Sequence, residues 1–417
     1  MRIRRPISAV LAKPKAISLF SGAGGDTVGM EHAGYEVVAF SEFKKPAIQT
    51  HLAAFPNSTL LVHPETQSTD IKQLPTEVLS PYSNQLDIVF AGFPCQGFSH
   101  AGKKRVEDPR NELVYEFARI VEITKPKWLI GENVTGLLSR KGKDPITQEV
   151  RPVIEIIRDI FDRIGYRILY KVWKAVDHGV PQERKRLIII GSPKEKGWPS
   201  FPESKEDEKD NPLPHLRGIL EDHLEGAMLF PKENIPQDLS PHYWISTTQT
   251  KPTGQPHPNL VRLVNGIRNL SKKEKEDQQD QEQKTIINKG GLISFGVRKS
   301  AYHGQILDPD LPSKTIICTY GLCPRLFVGL HHVESDTYWI RCLSIRELGQ
   351  IQGFPKEYPW MGKEKEIITQ IGNAVPPPLS TAVMNILPRI QFHEKPQQKE
   401  QQQEQEEQEE QDEEEDE

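Results

Sequence analysis

Two stretches of this sequence hold residue types that can do chemistry. In Gly92-Phe93-Pro94-Cys95-Gln96-Gly97-Phe98-Ser99 a lone thiol follows the apolar run Leu86-Asp87-Ile88-Val89-Phe90-Ala91. Such a run reads as a buried strand, and Gly92, Pro94 and Gly97 bend the chain out of it, so Cys95 stands at the crest of a parallel sheet, where α/β folds keep their sites. A thiol there is a candidate nucleophile; the competing assignment is a small buried hydrophobe. In Ser21-Gly22-Ala23-Gly24-Gly25 the glycines let main-chain N–H groups approach a ligand at a helix N-terminus, and Glu42, just past the next strand, can bind a ribose diol. A tight turn with no ligand is the alternative. Cys318, Cys323 and the His331-His332 pair match no zinc template, so no metal is expected.

The elements that position these residues alternate. Strands are expected over 16–20, 36–40, 86–91, 127–131, 166–173 and 186–190, with helices over 26–33, 45–54, 112–123 and 151–164. That order predicts an α/β fold with a doubly wound, Rossmann-like mixed sheet. From about residue 192 to 337 the text becomes Pro-rich and irregular, and 271–284 has no core residue. Periodicity returns with helices over 345–352 and 377–389. The expected organisation is a basic arm at 1–14, a catalytic domain at 15–200 completed by 338–390, a smaller irregular domain at 201–337 with a charged insertion at 271–284, and a Gln/Glu-rich disordered tail at 391–417.

Charge divides the 417 residues unevenly. The run 391–417 holds 13 Asp/Glu and 2 Lys, a net of −11, so the whole-chain charge of −5 leaves +6 on residues 1–390. A mildly basic body suits a polyanionic partner. Four cysteines without close pairing, no secretory signal and no apolar run of bilayer length give a reducing intracellular compartment as the expectation.

These pieces resemble the cytosine-5 DNA methyltransferase family, in the family's order, between residues 16 and 390. Phe20-Ser21-Gly22-Ala23-Gly24-Gly25 looks like the cofactor loop, Glu42 and Phe43 its ribose and adenine contacts, and Thr69-Asp70-Ile71 the adenine-edge segment. Gly92-Phe93-Pro94-Cys95-Gln96 is similar to the nucleophile loop, Glu132-Asn133-Val134 to the motif that holds cytosine, and Gln182-Glu183-Arg184-Lys185-Arg186 to the paired-arginine motif. Arg346-Glu347-Leu348 through Gly353-Phe354-Pro355 looks like the scaffold helix, and Gln370-Ile371-Gly372-Asn373-Ala374-Val375-Pro376 like the closing motif. Ser18 departs from the acidic residue many relatives carry there.

The resemblance implies transfer of a methyl group from S-adenosylmethionine, leaving S-adenosylhomocysteine, to carbon 5 of a cytosine flipped out of duplex DNA. Cys95 is then the nucleophile that adds to carbon 6, Glu132 holds the ring nitrogen, and Arg184 and Arg186, expected to alternate on one strand face, bind the base carbonyl and a nearby phosphate. Phe20, Gly22, Gly24, Glu42, Phe43, Asp70, Ile71, Pro94, Leu113, Asn373 and Val375 become cofactor contacts, and Gln96, Ser99, Lys103 and Arg105 DNA contacts on a closing loop. The resemblance makes 201–337 the target-recognition domain. It also implies a monomer with no membrane partner and a cognate restriction endonuclease as a candidate partner. Two other readings stay open: a tRNA cytosine-5 methyltransferase on the same fold, and a catalytically silent DNA-binding relative.

Overall fold

The structure, a computed structural model, describes residues 12–94, 113–144, 147–202, 212–235, 240–265, 287–288, 292–295 and 302–393. Cys95, Gln96, Ser99, Lys103 and Arg105, most of the 1–14 arm, the 271–284 run and the tail from 394 onward lie outside these.

The central sheet is built from β1 (Lys15–Leu19), β2 (Glu36–Ser41), β3 (Thr59–Leu60), β4 (Ile88–Ala91), β5 (Trp128–Asn133), β6 (Tyr166–Lys174) and β7 (Lys185–Pro193) in the order β3-β2-β1-β4-β5-β7-β6. All neighbours are parallel except β7, which is antiparallel to both β5 and β6. Both faces are covered, which is why the strands read as nearly continuous apolar runs. Ile17, Leu19, Val89, Ala91, Leu129, Leu187 and Ile189 pack against α3 (Leu113–Thr124) and α4 (Val153–Arg163). The alternate residues Ala16, Ile88, Phe90, Ile130, Ile188 and Ile190 pack with Met30 of α1 (Gly25–His32) and Leu379 and Val383 of α7 (Pro377–Ile386). The sheet is therefore mixed and doubly wound, and α7, the last α-helix among the described residues, covers the same face as α1.

The stretch that reads as irregular contains a second sheet. Its strands run from Met228–Phe230 to Thr337–Cys342, local hairpins alternate with distant pairings, and Met228–Phe230 pairs with Thr337–Cys342 itself. The final strand straddles the 337/338 position and pairs Leu326–His332. Helices α5 (Ile345–Ile351) and α6 (Glu364–Asn373) share a core with this sheet through Leu348, Ile351, Ile367, Ile368 and Ile371. The residues Gln391–His393 form a strand with Trp198–Ser200, so the acid-rich run begins inside the fold.

Two buried guanidinium groups join these parts. Arg341 meets Glu347 with two contacts of 2.7 Å, both side chains fully buried, and Arg341 also donates to the carbonyls of Glu221, His223 and Cys342. Glu347 accepts in addition from the Glu221 and Ser344 N–H groups, so every charged atom has partners and the pair can tolerate burial. Arg184 corrects an expectation. It lies between two strands rather than within one, so strand alternation does not bring it to the same side as Arg186, and it is 1% exposed. Its Nη1 donates to the Ile316 carbonyl (3.2 Å) and its Nη2 to those of Gly372 and Ala374 (both 3.1 Å). Next to it, Ser313–Lys314 pairs in parallel with Gln182–Glu183, and the Gln182 side chain bonds Ile316 N–H and Gln352. Arg184 thus clamps the connection between two strands of the second sheet, Tyr302–Ile306 and Leu326–His332, and the closing segment onto the central sheet.

Replacing Glu347 with Ala should cost about 3–5 kcal/mol, the usual result of stranding one buried charge. Arg184→Ala should cost about 3 kcal/mol or more by taking a donor from three buried carbonyls, of which, among the described residues, only that of Ala374 keeps another, from Gln352, and Arg184→Lys should recover less than half of it, because one ammonium lacks the guanidinium fork. Denaturant unfolding of the three variants checks this; wild-type midpoints would contradict the clamp.

Candidate active site

The carboxyl ends of β1, β2, β4 and β5 and the start of β7 converge on one edge of the central sheet. From β1 the chain enters the glycine turn through Phe20, whose φ of +56° is unusual for a side-chain-bearing residue and marks a backbone held by its surroundings. Ser21 N–H bonds the Ser41 carbonyl at 3.0 Å, tying the turn to the end of β2. Gly24 caps α1 at φ +86°, and a Cβ there would come within 2.6 Å of the Phe55 ring and 3.0 Å of His51 Nδ1, so glycine is required twice over. Burial lowers the His51 pKa to about 3, and the neutral ring stacks on Phe40 at 3.7 Å beneath the turn.

Glu42 leaves β2 with its carboxylate already oriented. One oxygen accepts from Gly22 N–H at 2.9 Å; the other accepts from the N–H groups of Phe43 and Lys44, also at 2.9 Å. Beside it the Phe43 ring is 65% exposed, a large apolar face left uncovered at the rim of a site. Gly22, at φ +55°, has open space where a side chain would be. Asp70 is exposed and caps the short 3₁₀ helix Ile71–Gln73, while Ile71 is buried. Carboxylate, aromatic face and open glycine turn together fit the adenosine half of a nucleoside cofactor.

At β4 the chain bends through Gly92, Phe93 and Pro94, the last described residues before Cys95. A Cβ at Gly92 would lie 3.7 Å from Val375 Cγ2 and 3.9 Å from both Glu132 Oε2 and the Phe20 carbonyl, so the glycine turn, β5 and the closing segment meet here. Asn133, 3% exposed, donates to the Phe93 carbonyl at 3.1 Å, its amide fixed by Val134 N–H at 2.8 Å. Glu132, its neighbour, faces Arg186 Nε at 2.8 Å. Register explains the pair: Glu132 stands opposite Ile188, so Arg186 is its diagonal neighbour on the same face. Among the described residues Glu132 Oε1 is buried without an aligned hydrogen-bond donor, so its contact with Arg186 is one of charge.

Leu113 starts α3 and is half-buried. Asn373 ends α6, exposed, while Val375 is buried with its carbonyl against Gly25. The geometry thus gathers Phe20, Gly22, Glu42, Phe43, Gly92, Glu132, Arg186 and Val375, and sends Arg184 into the interior. Sequence reasoning missed Tyr358, whose hydroxyl donates to the Ala23 carbonyl, and Ser380, which donates to the Asp26 carbonyl; both lie more than 300 residues from the turn they hold. It also took Asp26 only as a helix start, although an acid in a first turn beneath a glycine loop is a visible signal.

Cys318, Cys323 and the paired histidines are not gathered as ligands. The group of metal-ligand type among the described residues is His242, Asp308 and Asp310, where Arg217 takes both Asp310 oxygens. Burial pushes the Cys342 thiol up to about 12, which makes it a packing residue. No helix among the described residues is long and apolar enough to cross a membrane.

The family model for C-5 cytosine-specific DNA methylases matches residues 14–389. Type II methyltransferase M1.HphI of Haemophilus parahaemolyticus is 32% identical over 390 residues, 91% of this chain and 87% of that one. Type II methyltransferase M.PspPI of Psychrobacter sp. is 31% identical over 373 residues, 88% and 77% of the two chains. Among solved structures, the S. pombe Dnmt2 methyltransferase matches with a TM-score of 0.54 at 16% identity, over 90% of this chain and 99% of its own. The Entamoeba histolytica methyltransferase EhMeth matches with 0.55 at 15%, over 90% and 98%; at such identities these two carry the fold alone. The chain is an enzyme of the C-5 cytosine-specific DNA methylase family.

Proposed function

We propose that this enzyme methylates carbon 5 of a flipped-out cytosine in a specific duplex DNA sequence, using S-adenosylmethionine and a covalent bond to Cys95. The observation that carries the reading is the Asn133 bond to the Phe93 carbonyl, which roots the thiol's loop beside the Glu132–Arg186 pair.

The cofactor is assigned to the edge where Glu42, with one carboxylate oxygen on Gly22 N–H and the other on the Phe43 and Lys44 N–H groups, can accept from a ribose diol and Phe43 offers an exposed ring. When bound, S-adenosylmethionine supplies an electrophilic methyl group. Phe20, Gly22, Gly24, Asp70, Ile71, Pro94, Leu113, Asn373 and Val375 are proposed to line its site.

Carbon 5 of cytosine is too weak a nucleophile unaided. Cys95 Sγ forms a bond to carbon 6, and the ring's double-bond pair moves to carbon 5, which is then methylated. Glu132, its carboxyl held by Arg186, donates a hydrogen bond to the ring nitrogen, steadying charge as it develops there. Loss of the carbon 5 proton to solvent returns the pair to the ring, the carbon–sulfur bond breaks, and the thiolate departs. A base in a stacked duplex cannot offer carbon 6 to a thiol, so the target must leave the stack. Gln96, Ser99, Lys103 and Arg105 are proposed to hold the DNA around it, and 201–337 to read the sequence. Arg184 is assigned no contact with the base. The names of the Type II relatives support a modification role beside a restriction endonuclease, in a reducing compartment that holds DNA.

Cys95→Ser should keep cofactor affinity within a few-fold, since the turn and Glu42 sit on other strands, and lose methyl transfer to duplex DNA by several orders of magnitude. Arg186→Ala should lower turnover about a hundredfold by loosening Glu132. Tritiated-methyl transfer to DNA and to tRNA, with binding measured in parallel, checks both; turnover by Cys95→Ser, or label entering only tRNA, would overturn the reading.

A further inference from the structure

A buried acid lies under the glycine turn with no base to match it. Asp26 is the second residue of α1 and is 3% exposed. Residue 18, on β1, points to the same face of the sheet as α1, and the Ser18 hydroxyl donates to Asp26 Oδ2. Main-chain N–H groups of Asp26 and Thr27 are its other donors. From β5 comes Glu132, a like charge; from the segment after α5 comes the Tyr358 hydroxyl, itself held on the Ala23 carbonyl. From α7 comes Ser380, which bonds the Asp26 carbonyl and brings no charge. No lysine or arginine among the described residues contributes to its surroundings.

Buried carboxylates are normally paired with a cation, and an unpaired one is costly. The ligand proposed for this turn carries a positive sulfonium centre. We propose that Asp26 is a positioning residue that supplies the counter-charge of the sulfonium donor, holding a proton in the free enzyme and releasing it when the donor binds. This rests on the assignment of S-adenosylmethionine to the glycine turn. Burial, the largest cause, and Glu132 push the Asp26 pKa up to about 7, so about half of the free protein holds the proton at neutral pH and most of it does below, and a cation placed beside the carboxyl favours its release. The donor and its product differ by one charge at sulfur. Asp26 therefore favours substrate cofactor over product, and the preference grows as pH rises.

The test is calorimetric titration of the full chain and its Asp26→Asn variant with S-adenosylmethionine and with S-adenosylhomocysteine, between pH 5.5 and 7.5, in pairs of buffers of different ionisation heat. For the wild type, donor affinity should rise toward tenfold per pH unit below about pH 7, with close to one proton released, and product affinity should stay nearly flat. Asp26→Asn should abolish the slope, the proton release and most of the donor-over-product preference. Thermal unfolding of the free proteins gives a second readout. The Asp26 pKa is raised above the ordinary 3.8, so its stabilising contribution is present at low pH and lost as pH rises through about 7; the wild type should lose midpoint temperature across that window relative to Asp26→Asn. Equal slopes for donor and product, or proton release unchanged in Asp26→Asn, would overturn the proposal while leaving the cofactor assignment standing. Absence of binding by either ligand at every pH would overturn both.

Discussion

The hydrogen bond from Asn133 to the Phe93 carbonyl is the contact on which the site depends. It joins the ends of two parallel strands at the one place where the chain leaves β4 for the thiol. Parallel pairing sets Ala91 beside Gly131, so the next residues of both strands must emerge together. Glycine at 131 is part of the same design, because a Cβ there would sit 3.1 Å from the Phe93 ring. Phe93 can then fold inward, 6.2 Å from Phe117, and turn its carbonyl to Asn133. A side chain at 131 would lift Phe93 and with it the root of the loop proposed to carry the nucleophile.

The second dependence is on parts of the chain that come last. The Val375 carbonyl presses on Gly25, Ser380 holds the first turn of α1, and Tyr358 holds Ala23. A nucleotide-type turn made of residues 20–25 is thus braced by residues 354–380, and Arg184 links that brace to a connection between strands of the second sheet. One cluster of main-chain carbonyls therefore connects the region proposed to read DNA with the turn proposed to hold the cofactor. Rigid bracing of this kind suits a transfer reaction, where misplacement by an ångström is expensive.

Local pattern carried much of this into the sequence. Apolar runs separated by helical periods marked six of the seven strands of the central sheet, because its faces are covered and most of its strands are largely apolar; the two-residue Thr59–Leu60 carries no such run. The glycine turn and Glu42 were legible because they are local: the carboxylate bonds the turn that precedes it by one βα unit. What stayed hidden is non-local. The second sheet uses strands as short as three residues whose partners lie tens of residues away, such as Met228–Phe230 on Thr337–Cys342. Arg184 was assigned by strand alternation, which fails because the residue sits in the gap between two strands and answers to carbonyls 132 to 190 positions distant. Asp26 and Ser18 are eight residues apart, yet nothing in their spacing says that both are buried or that no cation joins them.

The central claim is that Cys95, rooted at Phe93 and Pro94, bonds carbon 6 of the target cytosine during methyl transfer. Duplex DNA containing 5-fluorocytosine tests it most directly, because fluorine cannot leave carbon 5 as a cation and the carbon–sulfur bond is stranded after methylation. A DNA adduct that survives denaturation, requires S-adenosylmethionine and maps to Cys95 by peptide mass is the predicted result. Full methylation of ordinary cytosine with no adduct on the fluorinated site, or an adduct that persists in Cys95→Ala, would contradict it.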